Sequence, residues 1–202
     1  MDQRTPFHER PDSSIIVQES TVLEDDSLKQ QQQQKNEQEL MERRKLAVRS
    51  SWSAIRLGLD HQATNIFYTR LFEKYPSVRP LFKDDMNAQH KKLFQAVCLV
   101  VDGMENLEAL VPILHALGKA HAGFGAVRAH YGAVTECFIW MLNSILAKMP
   151  SILEVTDAWE WALTLIGGIM ADGGDEAMEE NRQRILAEQN SVMEDNKKKN
   201  IG

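Results

Sequence analysis

From Glu37 to Ala171 the apolar residues recur at intervals of three and four, and no stretch alternates polar and apolar residues with β-branched enrichment. That spacing lines one face of an α-helix, whereas a half-buried strand needs a period of two. The chain is therefore expected to be all-α. A first helix carries Leu40, Leu46, Ala47, Trp52 and Ile55 and is broken by Gly58. A second, Leu59 to Lys74, turns Ala63, Ile66, Phe67, Leu71 and Phe72 inward and stops before Pro76, whose ring disfavours helix in the preceding residue. A short turn then presents Val78, Leu81 and Phe82. The next helix, Ala88 to Met104, has a stripe of Leu93, Val97, Val100 and Val101. Asn106 has the chemistry of an N-cap for Leu107 to Ala122, with Pro112 either inside the first turns or marking the true start. Gly123 and Gly125 end that helix; Arg128 to Lys148 and Ser151 to Ala171 follow, separated by Pro150.

A chain of 202 residues, 43% of them hydrophobic, can bury one ordinary core with sequence to spare. Residues 1–36 combine prolines, acids and the run Gln30 to Gln34, a composition with little to bury, and are expected to be a disordered extension. The segment from Leu28 to Glu39 also holds good helix formers able to lengthen the first helix. The domain is expected over 37–173 and a charged, partly helical tail over 174–202. A net charge of −6 argues against nucleic acid as a partner, because phosphate binding needs a positive face, and Lys197 to Lys199 read as a solvated tail. Cys98 and Cys137 lie in apolar helical runs and read as reduced core thiols. The polar start has no apolar leader segment and no run is long enough to span a bilayer, so the expected compartment is the cytoplasm.

The residue that most needs an explanation is His121. Positions 4, 7 and 11 before it are Leu117, Leu114 and Leu110, which places its imidazole on an apolar helix face. Spacing alone leaves two readings open, a core histidine satisfied by a local hydrogen bond or a metal ligand.

Resemblance separates them. The string Leu117-Gly118-Lys119-Ala120-His121-Ala122-Gly123-Phe124-Gly125 resembles the segment that supplies the proximal haem ligand in globins. Pro80-Leu81-Phe82 resembles the globin corner where a phenylalanine packs on the haem. Val101-Asp102-Gly103-Met104-Glu105-Asn106-Leu107 and Asp157-Ala158-Trp159 are similar to phrases of flavohaemoglobin-type globins and neuroglobin, and the likeness covers about Leu46 to Met170. It implies a globin fold of six to eight helices around haem b, with His121 as axial ligand and Phe82 stacked on the ring. Counting back 32 positions from His121 places Gln89 at the distal position, with Leu93 a turn later over the iron. Fourteen positions before Phe82, Tyr68 would reach the same pocket. Leu117 would line the proximal side and Lys92 would meet a haem propionate. Tyr131 falls where flavohaemoglobins keep a tyrosine beside the axial histidine, but their proximal acid would fall at Gly174, which puts peroxidase-like character in doubt.

The resemblance implies a gas-binding protein that carries, stores or senses dioxygen, with Tyr68 and Gln89 donating hydrogen bonds to a partly anionic ligand. A second expectation is nitric oxide dioxygenation, which needs electrons from a separate reductase because no flavin or nicotinamide signature occurs in these residues. A third places the neighbouring His90 on the iron, giving a bis-histidine redox or sensor globin. A haem-free interaction module is the fourth.

Overall fold

The computed structural model describes residues 13–82 and 85–199. The start of the chain, His8 included, lies outside the described residues. Six α-helices, α1 (Ser13–Arg56), α2 (Asp60–Lys74), α3 (Met86–Gly103), α4 (Leu107–Gly123), α5 (Arg128–Ile145) and α6 (Ile152–Lys199), are joined by short turns, with 3-10 helix at Pro76–Leu81 and Met104–Asn106. No strand occurs among the described residues, and no helix of theirs is long and apolar enough to cross a membrane.

The chain divides into two compact units, Met1–Arg43 and Arg44–Gly202. In the first, helix begins at Ser13, well ahead of the start at Glu37 suggested by apolar spacing. Glutamine, glutamate and lysine are good helix formers, and pairs four apart reinforce the turn: Gln32 donates to Asn36 at 2.9 Å and Gln33 to Glu37 at 3.0 Å.

The second unit carries the core. Trp52 on α1, Phe138 on α5 and Trp159 on α6 meet with ring centroids 5.0 to 6.2 Å apart, and Phe67 on α2 joins them edge-on to Phe138 at 6.1 Å. Four helices are thus fastened by side chains that bury the largest apolar areas available to a protein. Both indole donors are met internally: the Trp52 indole donates to Cys98 Sγ at 3.4 Å, the Trp159 indole donates to Ser51 Oγ at 2.9 Å, and the Ser51 hydroxyl donates back to the Ala47 carbonyl at 2.7 Å. Replacing Ser51 by alanine strands that buried N–H. Equilibrium urea unfolding should register a loss of about 1–3 kcal/mol, the cost of an unsatisfied buried donor; an unchanged midpoint would show that the pair contributes nothing.

Local signals set the helix ends near the site. Asn106 accepts from Ala109 N–H at 3.1 Å as the N-cap of α4, and Pro112 lies inside the helix. After Gly123, the amide of Ala126 returns to the His121 carbonyl at 3.0 Å while Gly125 takes a φ of 93°, a left-handed conformation that favours glycine.

The helix α6 does not end at Gly173 and Gly174, and at Gly173 the absent side chain serves packing. A Cβ at Gly173 would collide with the His115 carbonyl, and one at Gly118 with the Met170 carbonyl. Along this crossing α4 and α6 meet backbone to backbone, which only glycine permits. His115 and Lys119 on α4 then reach Glu176 on α6 at 3.1 and 3.2 Å.

Candidate functional site

Pressed onto α6 by its glycines, α4 presents the stripe Leu110, Leu114, Leu117 and His121 elsewhere. Leu110 and Leu114 are buried, whereas Leu117 and His121 are half-buried, so the stripe opens toward its C-terminal end. His121 Nδ1 lies 2.8 Å from the Leu117 carbonyl one turn back. A carbonyl can only accept, so the bond requires the proton on Nδ1 and leaves Nε2 with its lone pair outward. The histidine is both held in orientation and committed to the tautomer that can ligate a metal. No group of three His, Cys, Asp or Glu side chains able to hold a metal occurs among the described residues.

Facing elements supply an aromatic cluster. Tyr68, on the buried face of α2, stacks on His90 of α3 with centroids 5.1 Å apart and planes 14° from parallel. It also meets Phe72 at 5.7 Å and the edge of Phe82 at 5.6 Å. The Tyr68 hydroxyl donates to the Gln89 carbonyl at 3.3 Å, a long bond, and burial pushes its pKa up to about 12, so it remains a neutral donor. Half-buried His90 has its Nδ1 shielded from solvent without a hydrogen-bond partner. Burial, then the neighbouring His61 ring 5.6 Å away, lowers its pKa and keeps it neutral at pH 7.

The two sides of the site approach each other through the chain turns. Leu81, beside Phe82, lies 3.2 Å from where a Cβ of Gly125 would stand, four positions after His121. Helices α3 and α4 touch sparsely, Gly103 against Leu110 being one contact. Beyond it Phe82, Leu93, Val97 and Leu117 pack on the core yet keep partial exposure. Apolar residues on core-facing helix faces are normally covered.

Of the residues singled out by sequence, Tyr68, Phe82 and Gln89 are therefore brought together, with His90 added to their cluster. Lys92 is exposed on α3. Tyr131 turns to α6, its Cβ 3.3 Å from where one of Gly167 would stand, below the pairs from Arg128 to Asp172 and Asp175 at 2.6 Å. Gly174 sits 3.7 Å from Ala122 Cβ measured from its would-be Cβ, so the position expected for a proximal acid adjoins the His121 turn but offers no carboxylate. Stacking of Tyr68 on His90 had no sequence signal, since helical spacing gives Gln89 and His90 equal claims. An open groove of about 450 Å³ between α5 and α6, lined by Tyr131, Gly132, Gly167 and Gly168, includes neither His121 nor Tyr68.

Comparison with known proteins adds independent findings. The globin family model matches residues 65–170, just over half of the chain. An uncharacterized globin-like protein of Aquifex aeolicus is 28% identical over 117 residues, covering 57% of this chain and 82% of that protein. A flavohemoprotein of Bacillus thuringiensis is 29% identical over 114 residues, 55% of this chain but 27% of its own length, so the likeness spans about a quarter of that relative. Among solved structures, a bacterial globin from Campylobacter jejuni superposes with a TM-score of 0.56 at 24% identity, covering 70% of this chain and 99% of that one.

Proposed function

The chain belongs to the globin family, and on that premise we propose that it holds haem b with His121 as the axial ligand and binds dioxygen reversibly on the other side of the ring. The observation that carries this reading is the bond from His121 Nδ1 to the Leu117 carbonyl, which leaves Nε2 available and aimed away from its own helix.

The residues fit the group. A single histidine suits an iron whose four equatorial ligands come with the macrocycle. The half-buried Phe82, Leu93, Val97 and Leu117 offer the apolar surface such a ring would cover. The His90 nitrogen without a partner marks a polar group on the α3 side that still has a hydrogen bond to make. When bound, haem supplies a ferrous iron with a coordination position for a diatomic gas.

The chain's own contribution is orientation, exclusion of water and donation of protons into hydrogen bonds. His121 is fixed by its carbonyl partner, so the lone pair is delivered without an entropic search. Tyr68, neutral and buried, offers an O–H that its long bond to Gln89 holds only weakly. Gln89 and Lys92 keep the roles the resemblance implies, a second donor and a partner for a propionate. A separate reductase is a proposed partner if the activity includes nitric oxide dioxygenation, a reading supported by the likeness to flavohemoproteins.

His90 supports a second reading. Its half-buried ring and unpartnered Nδ1 suit a residue that takes the iron's other axial position, giving a six-coordinate resting state.

Titration of the purified full chain with haemin tests the main proposal: saturation at one haem per chain is expected, and the absence of saturable binding would overturn it. The role of Tyr68 is tested by Tyr68→Phe. A hydrogen bond to a group bearing charge contributes about 1.5–3 kcal/mol, so dioxygen should leave roughly 10- to 100-fold faster in stopped flow. Carbon monoxide release should change far less, and equal effects on both gases would contradict a donor role.

A further inference from the structure

Phe82 is half-buried and stands just past the 3-10 turn Pro76–Leu81, so no regular helix fixes its ring. Individual bonds must do so. Both main-chain polar groups of Phe82 are taken by one residue: its N–H donates to the Arg79 carbonyl at 3.2 Å, and its carbonyl accepts from Arg79 Nη1 at 2.9 Å. Between them, Pro80 has its φ fixed by its own ring. The Arg79 guanidinium also lies over Phe72, 4.8 Å from the ring centroid, within the range at which a cation is drawn to an aromatic face. Phe72 in turn meets Phe82 edge-on at 5.3 Å and Tyr68 nearly parallel at 5.7 Å, while Tyr68 meets Phe82 at 5.6 Å. Each ring of the three therefore touches the other two.

We propose that Arg79 is a positioning residue of the haem site, the outer clamp that fixes the Phe82 ring directly and the Tyr68 ring through Phe72, an inference that rests on the haem reading above.

Nothing else about the position asks for an arginine. Arg79 is exposed, and the turn is already anchored in the core by the buried Val78. The contacts use what is particular to the side chain: a planar guanidinium can lie on a ring and donate from its edge at once, whereas an ammonium is a point charge on a flexible stem. Its two targets are Phe72 on α2 and the backbone of Phe82, so Arg79 ties the end of α2 to the corner that follows it. A ring held in place before binding covers a bound macrocycle without first having to be ordered, and the bound group leaves more slowly for it.

The rate at which haem passes from the loaded full chain to excess apomyoglobin measures the effect. Arg79→Ala should lose haem about 10-fold faster than the parent, the combined worth of an exposed cation–π contact and a hydrogen bond from an ionised donor. The Soret circular dichroism, which reports the aromatic rings around the macrocycle, should change with it, and Arg79→Lys should recover part of both. Without haem the alanine variant should keep the parent's thermal midpoint, because Arg79 is exposed. Loading with haem dimethyl ester separates the clamp from a direct pairing of Arg79 with a propionate. The clamp predicts the same ratio of variant to parent with the ester, whose propionates are neutral; equal loss rates with the ester would overturn it. An Arg79→Ala protein with the parent's loss rate and dichroism would overturn it too. Failure of the haem reading looks different, because the parent itself would then show no saturable binding.

Discussion

Replacing His121 by glycine should weaken haem retention by more than about 100-fold, the upper end of what losing a mere hydrogen-bonding support of a metal ligand costs. The substitution removes the outward-facing Nε2 and, with it, the bond to the Leu117 carbonyl. It leaves the core largely intact, because His121 is half-buried near the end of α4 and makes no part of the Trp52, Phe138 and Trp159 cluster. The chain should therefore still fold, as judged by its far-ultraviolet dichroism, while haemin titration loses its saturable phase. Free imidazole, small enough to enter the space vacated by the ring, should restore binding. That rescue separates ligation from packing, since a structural role would not respond to an added base. If the variant retained haem like the parent, with the same spectrum, the axial ligand would have to be another residue.

The largest effect on stability is expected from Gly118→Ala. A methyl at Gly118 would overlap the carbonyl oxygen of Met170 on α6, and this neighbour is backbone, which cannot swing aside. Overpacking costs about 1–3 kcal/mol where side chains can relax and more where a helix must move. Alanine also returns about 1 kcal/mol of helix propensity that glycine forgoes. The clash wins, and a net loss of about 2 kcal/mol or more should lower the thermal midpoint by roughly 4–8 °C for a chain of this size. Gly168→Ala is the control: it is also inside a helix, nothing lies within 4 Å of its added Cβ, and it should stabilise through propensity alone. Because Gly118 lies one turn before His121, its alanine variant should also bind haem more weakly. A Gly118→Ala protein as stable as the parent would mean that α4 and α6 do not meet as closely as the backbone contact at Met170 requires.

Most of the helical framework was legible because its signals are local. Apolar spacing, Asn106 as an N-cap, and breaks at Gly58, Pro76 and Gly123 are written within a few residues of where they act, and α2, α3 and α4 begin and end within two residues of their expected bounds. Gly173 and Gly174 were misleading for a physical reason. Glycine followed by polar sequence reads as a helix end, yet Gly173 is small because the His115 carbonyl of α4 lies against it, a contact set by a residue some fifty positions away. The helix over residues 13–36 escaped the apolar pattern because its support is intrinsic propensity and pairs four apart, as between Gln33 and Glu37.

The site divides in the same way. His121 stood out on its leucine stripe, but the Leu117 carbonyl that fixes its tautomer follows from the rotamer and not from the residue type. Tyr68 and Phe82 were found through resemblance, and the geometry brings their rings within 5.6 Å. The stacking of His90 on Tyr68 depends on the rotation of α3 about its own axis, a quantity that the neighbours Gln89 and His90 leave undetermined in sequence.

The most direct test of the central claim is the visible spectrum of the haem-loaded full chain, reduced under anaerobic conditions and then exposed to carbon monoxide or air. A single broad visible band before gas is added, splitting into two afterwards, is the predicted result and describes His121 as the sole axial protein ligand with a position open to dioxygen. Sharp split bands before any gas is added would contradict it and place His90 or another strong ligand on the iron.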